Sequence, residues 1–266
     1  MSEVRFVAVK TFRALLARAG FSVVLVLSMP WLDRAQQGPS AGELLQQFEN
    51  TRVFWQQIEV AKAIVAAHDA SVLPKLEPWL TVEDRHLRGN AAFVFAGLGD
   101  PRGFEVIVAI LNDRSERAPG QGAFYIHSGP DPGPDPKRLL AAEITQDRYY
   151  AAHLLGDLKD PRAVPILVRL LKDPDVNYIV PWSLGQIGVR SASPALIGAL
   201  SDPNPDMRVL AISAIERLGA TEALPRLREL LDDAQRSTFS GQVAVSEAAR
   251  TAINKLESQP SSPTRK

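Results

Sequence analysis

Residues 151–175, AAHLLGDLKDPRAVPILVRLLKDPD, contain the pattern that decides the fold of this 266-residue chain. Ala151, Leu154 and Leu155 are spaced by three and four residues, which places them on one face of an α-helix. The segment KDPRA then supplies turn residues, and Pro165 lies in the first turn of a second helix, where its missing N–H costs nothing. The stretch therefore predicts two short helices joined by a tight turn.

The same unit recurs along the chain, with Pro165 as its landmark. Pro74, Glu105, Pro194 and Pro225 occupy equivalent positions, so the spacings are 31, 60, 29 and 31 residues, and the longest equals one unit plus an insertion of similar length. Four columns at fixed offsets from the landmark are apolar in all copies: Val60, Ala91, Ala151, Val180, Ala211; Ile64, Phe95, Leu155, Leu184, Ile215; Leu76, Ile107, Leu167, Leu196, Leu227; and Leu80, Leu111, Leu171, Leu200, Leu231. This agreement predicts a repeat protein in which each helix pair is stable only against its neighbours.

We therefore predict an all-α fold, a right-handed α-solenoid of about five helix pairs plus a C-terminal capping helix. The predicted organisation assigns residues 1–35 to a signal peptide or N-terminal membrane anchor, 36–47 to a linker, 48–257 to the repeat domain and 258–266 to a polar tail. A long insertion at about 114–142 interrupts the repeats. Insertions of this length are typically functional or disordered.

The N-terminus predicts export or membrane anchoring. Arg5, Lys10, Arg13 and Arg18 precede the apolar stretch FSVVLVLSMPWL at residues 21–32. A helix of that length rises about 18 Å, less than the roughly 30 Å hydrocarbon core, so a signal peptide fits better than a spanning helix. The alternatives are an uncleaved anchor and a buried N-terminal helix. The expected location is periplasmic, extracellular or membrane-anchored.

Composition and motifs argue against several classes of function. Thirty basic residues balance thirty acidic ones, so no global field favours nucleic acid as a partner. The absence of cysteine excludes disulfides, a thiolate nucleophile and cysteine-ligated metal. The four His residues form no metal-ligand pattern, and no P-loop, G-x-S-x-G or H-E-x-x-H motif occurs. The sequence therefore predicts a protein that is not an enzyme and holds no metal or other cofactor.

The repeats resemble HEAT-like repeats of the short bacterial type first recognised in phycobilisome lyases. The resemblance spans roughly residues 48–257 and rests on starts such as Asp206-x-Arg208, on the Gly-Asp-Pro turn and on the Ala-x-Pro-x-Leu second helix. Such repeats mostly bind proteins, so the resemblance implies a non-catalytic scaffold whose partner is another protein or a peptide. Two alternatives stay open: an accessory bilin-lyase-like protein and a regulatory subunit of an enzyme complex.

Deoxyhypusine hydroxylase is built on a similar repeat scaffold and binds two irons through paired His-Glu steps. No His in this chain is followed by Glu, because His68 precedes Asp, His86 and His153 precede Leu, and His127 precedes Ser. The resemblance therefore does not extend to that metal site.

Side chains outside the apolar columns are candidates for binding a partner. The second helices are expected to line the concave side, as in related solenoids, and the insertion contains an isolated apolar island. The candidates are Phe124, Tyr125 and His127 in the insertion, Tyr149 and Tyr178 on first helices, and Arg169, Arg226 and Glu229 on second helices. A flexible loop and a solvated charged face are the alternatives.

One column near the start of the first helix is basic in three copies. It holds Arg88, Arg148 and Arg208, with Gln57 and Asn177 in the other two copies. We expect each Arg to pair with an Asp of the preceding inter-repeat turn and so to tie repeat to repeat. The functional alternative is a basic ladder that binds carboxylates or phosphates.

Overall fold

The computed structural model describes residues 38–116, 136–238 and 242–258. By its contacts the chain divides into Met1–Ser40, of which only 38–40 are described, and Ala41–Lys266, which contains every helix named below. The α-helices of the described residues are α1 (Ala41–Asn50), α2 (Phe54–Ala67), α3 (Leu73–Leu76), α4 (Arg85–Gly97), α5 (Pro101–Asn112), α6 (Pro136–Leu158), α7 (Val164–Leu170), α8 (Val180–Ile187), α9 (Ser193–Ala199), α10 (Pro205–Leu218), α11 (Leu224–Glu229) and α12 (Val245–Ser258).

The helices alternate as the repeat pattern predicts. The first helices of the five copies are α2, α4, α6, α8 and α10, and the second helices are α3, α5, α7, α9 and α11. A short 3-10 turn precedes α3, α7, α9 and α11, whereas α5 begins directly at Pro101 after Asp100. Within the described ranges the only β-type pairing is one antiparallel bridge between Arg236 and Ala244. The all-α solenoid is confirmed.

Asp-Pro and Asn-Pro pairs start several of these helical segments. Asp100 accepts a hydrogen bond from the backbone N–H of Arg102 at 3.0 Å, and Asp160 accepts one from that of Arg162 at 2.9 Å. Each capping side chain is followed by a Pro whose fixed φ suits the first helical turn. The short second helices therefore begin at positions that the sequence specifies locally.

The apolar columns form one continuous core. Every member of the columns that begin with Ile64 and Leu76 has no exposed surface. The column that begins with Val60 is buried in its other four copies, and Val60 itself is half-buried. Because each pair buries these side chains partly against the next pair, the copies depend on one another for stability.

The first helices form a closely packed layer and the second helices an open one. Small residues lie where first helices meet: a Cβ on Gly156 would lie 2.8 Å from Ser183 Cα, and one on Gly185 would lie 3.4 Å from Ala214 Cα. Consecutive second helices make few contacts with each other. The open layer therefore contains grooves between neighbouring second helices. The prediction that this layer lines the concave side stays a prediction.

Two boundaries differ from those predicted. Helix α1 occupies most of the predicted linker at 36–47, because Leu44, Leu45 and Phe48 are spaced as one helical face and are buried in the core. Helix α6 begins at Pro136, so the last part of the insertion predicted at 114–142 continues the first helix of the third copy.

The predicted signal peptide or membrane anchor at 1–35 lies outside the described residues, as does the tail from 259 onward. Among the helices that are described, none combines the length and the apolar composition needed to cross a bilayer.

Candidate partner-binding groove

A groove of about 520 Å³ opens between the second helices of the third and fourth copies, α7 and α9. It is lined by Val168, Arg169, Leu171, Lys172, Ala195, Gly198, Ala199, Ser201 and Asp202. Its volume lies in the range of sites that hold small molecules or peptide side chains. This groove is the candidate functional site.

Local sequence keeps the groove open. Helix α7 ends at Leu170 and α9 at Ala199, each a few residues before an Asp-Pro pair that stops the helix from continuing. Gly198 lies on α9, and a Cβ built there would meet no atom within 4 Å. The groove is therefore wide at a position where most residues would project a side chain into it.

The two walls of the groove differ in charge. Arg169 and Lys172 lie about one turn apart on the α7 side; both are exposed and have no hydrogen-bond or ion-pair partner within the described ranges. On the opposite wall the Oγ of Ser201 accepts a hydrogen bond from Arg226 Nη2 at 2.9 Å. Asp202 accepts one from the backbone N–H of Asn204 at 2.8 Å. The groove thus offers two cations that form no ion pair with any described residue.

The structure brings three of the predicted binding residues to this region. Arg169 lines the groove, and Arg226 reaches its rim through Ser201. Glu229 forms an ion pair with Arg226 on α11, which occupies the guanidinium. The role of these residues in binding stays a prediction.

Other predicted binding residues lie elsewhere. Tyr149 and Tyr178 were expected at a free surface, but Tyr149 is half-buried against the core, and burial raises the pKa of its hydroxyl. The hydroxyl of Tyr178 accepts a hydrogen bond from Asn204 Nδ2 at 2.7 Å, so this ring joins the fourth copy to the fifth. Phe124, Tyr125 and His127 lie outside the described residues.

In two copies the Arg of the basic column contacts carboxylates of the following turn, not of the preceding turn as expected. The buried Arg148 donates to Asp175 Oδ2 at 2.8 Å and to Asp173 Oδ2 at 2.5 Å, and both carboxylates belong to the turn that follows the third copy. The Nε of Arg148 donates to Leu111 O of the second copy at 2.9 Å. The Arg148 guanidinium therefore connects carboxylates of the following turn to a carbonyl of the preceding copy, and these acceptors offset the cost of burying its N–H groups.

Arg208 makes a similar connection in the fifth copy, with one carboxylate instead of two. It is 5% exposed, and its Nη2 lies 2.9 Å from Asp233 Oδ2, while Nη1 donates to Asp202 O at 2.6 Å. In the second copy the buried Arg that pairs with the following turn is Arg85, which lies one helical turn before the predicted Arg88. Arg85 Nη2 lies 2.8 Å from Asp113 Oδ2, whereas Arg88 is half-buried.

Sequence reasoning missed a polar relay in the first-helix layer. Asn90 Nδ2 donates to Gln57 Oε1 at 3.0 Å and to Phe54 O at 2.8 Å, and the Tyr150 hydroxyl donates to Asn90 Oδ1 at 2.5 Å. These side chains come from three consecutive copies and are all buried. Asn90 and Tyr150 occupy one column, fifteen residues before the landmark, but the residue type in that column varies from copy to copy and Gln57 lies in the Arg column, so the repeat pattern does not reveal the relay.

Aromatic rings follow the same layer. The Phe54 ring stacks on His86 at 4.3 Å and meets Tyr150 edge-on at 5.0 Å, while His153 stacks on Trp182 at 4.3 Å. Phe54 and Tyr150 belong to the first and third copies, so this contact skips a copy, as does the ion pair of Lys62 with Asp157 at 3.0 Å. The rings pack repeat against repeat.

No group of three or more His, Asp or Glu side chains in the described residues is placed to hold a metal ion. His153 lies 3.8 Å from Asp157, and burial, opposed by that carboxylate, lowers the pKa of the imidazole.

Comparison with protein families identifies the repeats. A model described as PBS lyase HEAT-like repeat matches residues 147–173, and one described as HEAT repeats matches residues 173–246. These ranges run from the first helix of the third copy to the start of α12 and include the groove. Residues 147–246 thus match models of HEAT-like repeats, one of them of the phycobilisome lyase type, as the sequence predicted.

Curated relatives match over part of their length. Phycocyanobilin lyase subunit alpha of Picosynechococcus sp. is 37% identical over 104 residues, which covers 35% of this chain and 39% of the relative. The protein of that name from Synechococcus elongatus is 34% identical over 99 residues, covering 33% and 36%. Deoxyhypusine hydroxylase of Gallus gallus is 32% identical over 123 residues, covering 45% and 39%. The chain thus spans less than two fifths of each relative.

Two solved structures are also similar. Human deoxyhypusine hydroxylase in complex with glycerol has a TM-score of 0.36 and 19% identity, covering 86% of this chain and 88% of the other. An engineered protein has a TM-score of 0.42 and 19% identity, covering 83% of this chain and 98% of the other.

The predicted location is wrong. Export or membrane anchoring was expected from the basic and apolar N-terminus, but two of the relatives are named as subunits of a phycocyanobilin lyase and none is named as an exported or membrane-anchored protein. A short apolar stretch that follows basic residues is weak evidence for export or membrane anchoring, because a buried N-terminal helix can have the same composition.

Proposed function

We propose that the protein is a non-catalytic scaffold that binds another protein or a peptide through its second-helix face, centred on the groove between α7 and α9. The observation that carries this proposal is the groove itself, in which exposed and unpaired Arg169 and Lys172 lie beside an apolar lining within the described part of the chain. Apolar surface next to unpaired charge is typical of protein interfaces, where a bound partner displaces water from the surface. The HEAT repeat matches and the lyase subunits among the relatives support a protein as the partner.

Affinity purification of the tagged full chain from its native host, followed by quantitative mass spectrometry, tests the proposal. Gly198→Leu fills the groove at a position where a Cβ meets no atom within 4 Å, so it blocks the groove without a clash in the fold. Ser213→Leu adds the same side chain at an exposed position of the first-helix layer and is the matched control. We expect specific partners to be lost with Gly198→Leu and kept with Ser213→Leu. Equal recovery with both variants contradicts the proposal.

A second candidate function is that of a bilin-lyase-like subunit. It is favoured by the two phycocyanobilin lyase alpha subunits among the relatives, each of which this chain matches over little more than a third of the relative's length. Co-expression with a bilin pathway and a phycobiliprotein acceptor tests it. We expect visible absorbance bound covalently to the acceptor only when this chain is present, and identical absorbance without the chain contradicts this candidate.

A further inference from the structure

We infer that the groove between α7 and α9 takes an acidic–apolar peptide segment, in which carboxylates flank an apolar side chain. This inference rests on the proposed function, because it names the chemistry of the partner that the same groove binds. Three features support it: the charge of the walls, the shape of the floor and the ion pairs that hold neighbouring Arg side chains.

The positive charge of the α7 wall favours an anionic partner. Arg169 and Lys172 have no acidic partner within the described ranges, in contrast to Arg148, Arg208 and Arg226, each of which meets a carboxylate. Arg169 on α7 and Lys172 in the turn just after it are three residues apart, so the two cations repel each other weakly, and a carboxylate bound between them relieves that repulsion and gains charge-assisted hydrogen bonds. A partner with carboxylates is therefore favoured over a neutral or basic one.

The opposite wall does not cancel this charge. Among the described residues of the lining Asp202 is the one carboxylate, and it already accepts a hydrogen bond from the N–H of Asn204. Glu229, on the next second helix, is paired with Arg226. Two cations therefore face one carboxylate across the groove, and the excess charge is positive.

The floor of the groove takes an apolar side chain. Val168, Leu171, Ala195 and Ala199 are half-buried and carry no polar side-chain atom, and Gly198 leaves space above α9. Burying an apolar side chain there removes its surface and that of the floor from water, at roughly 25 cal/mol per Å² of apolar area. A purely polar anion such as inorganic phosphate would leave this surface unused.

The surroundings argue against a nucleic acid. Binding to a polyanion depends on several cations that follow a phosphate backbone. Beyond the groove, Arg226 is held by Glu229, and Arg190 on the 3-10 turn before α9 is held by Glu222 at 3.0 Å. The positive charge is thus local, as a short acidic peptide requires.

Fluorescence anisotropy with a defined probe tests the inference. The probe is a short fluorescein-labelled peptide in which pairs of Glu alternate with Leu, and the matched peptides replace every Glu by Lys or every Leu by Ser. We expect saturable binding of the Glu–Leu peptide to the full chain, weakened at least about tenfold by Arg169→Glu and by Gly198→Leu. The Lys and Ser peptides should bind at least about tenfold more weakly than the Glu–Leu peptide.

Lys75→Glu is the matched charge control, because Lys75 is an exposed second-helix cation in the first copy, away from the groove. Equal weakening by Lys75→Glu and Arg169→Glu overturns the inference, and so does a Lys peptide that binds as well as the Glu peptide, displacement by single-stranded DNA, or the absence of saturable binding. If partner capture depends on Gly198 but not on Arg169 and Lys172, the proposed function stands and only the acidic chemistry is wrong.

Discussion

The hydroxyl of Tyr150 donates a hydrogen bond to Asn90 Oδ1 at 2.5 Å, and both residues are buried, 9% and 0% exposed. Tyr150 belongs to the third copy and Asn90 to the second, so this bond joins copies on either side of the long insertion. Asn90 in turn binds Gln57 of the first copy. The relay thus links three copies through buried polar groups, where an unmade hydrogen bond is costly.

Tyr150→Phe should therefore lower the free energy of unfolding by about 1–3 kcal/mol, because it leaves Asn90 Oδ1 buried without its donor. Tyr149→Phe is the control: Tyr149 is adjacent and half-buried, and its hydroxyl makes no hydrogen bond within the described residues. Urea unfolding followed by circular dichroism measures both. Equal losses in the two variants would show that the hydroxyl of Tyr150 contributes nothing beyond ring packing.

Arg148 and Arg114 contact the same two carboxylates from different environments. Arg148 has a 3% exposed side chain and Arg114 a 58% exposed one, and each lies within 2.8 Å of both Asp173 and Asp175. Arg148→Ala should cost about 3 kcal/mol, because it leaves buried acceptors such as Leu111 O unpaired. Arg114→Ala should cost less than about 1 kcal/mol, because solvent screens the exposed pair.

Denaturant unfolding of the two Arg variants measures this difference. The affinity of each folded variant for a groove ligand should equal that of the wild type, because neither Arg lines the groove. An Arg148 variant that folds with wild-type stability but loses its ligand would identify the Arg column as a binding site instead of a structural one.

The stability of the fold should depend on pH through Asp173. Burial raises the pKa of this carboxyl, but the hydrogen bond from Arg148 and the charges of Arg148 and Arg114 outweigh it and hold the pKa below its ordinary value of 3.8. A lowered pKa means that the carboxylate stabilises the fold fully above pH 3.8 and that this contribution is lost as the pH falls through the folded-state value. The free energy of unfolding of the wild type should therefore approach that of Asp173→Asn only on the acid side of this range. A constant gap between the two down to acid unfolding contradicts the assignment.

The sequence could predict the helix pairs and the core because burial in a repeat protein follows fixed offsets. All members of the Ile64 and Leu76 columns are buried for this reason. It could not predict that the buried Arg that pairs with Asp113 in the second copy is Arg85, because a shift of one helical turn keeps a side chain on nearly the same face. The offsets from the landmark also predicted that Arg169 lies at the surface. The groove beside it depends on the spacing between two second helices, which the sequence of a single repeat does not determine.

Helix α1 shows a different limit of the pattern. It packs like a helix of the stack but belongs to no complete copy, so a search for the repeat passes over it. Its signal was the spacing of Leu44, Leu45 and Phe48 alone. The long insertion limits the prediction in the same way. Helix α6 begins at Pro136, upstream of the first column of its repeat, so the pattern does not indicate where this helix starts.

Alanine substitutions at two helical glycines should have opposite effects. Gly198→Ala should raise the free energy of unfolding by about 0.5–1 kcal/mol, because Gly198 lies within α9, its new Cβ meets no atom within 4 Å, and alanine loses less backbone entropy on folding than glycine. Gly103→Ala should lower it by about 1–3 kcal/mol, because a Cβ there would lie 2.2 Å from Ala92 O and force α5 away from α4. Thermal unfolding of both variants measures the two signs. A Gly198→Ala variant less stable than the wild type would contradict open space above Gly198 in the groove between α7 and α9.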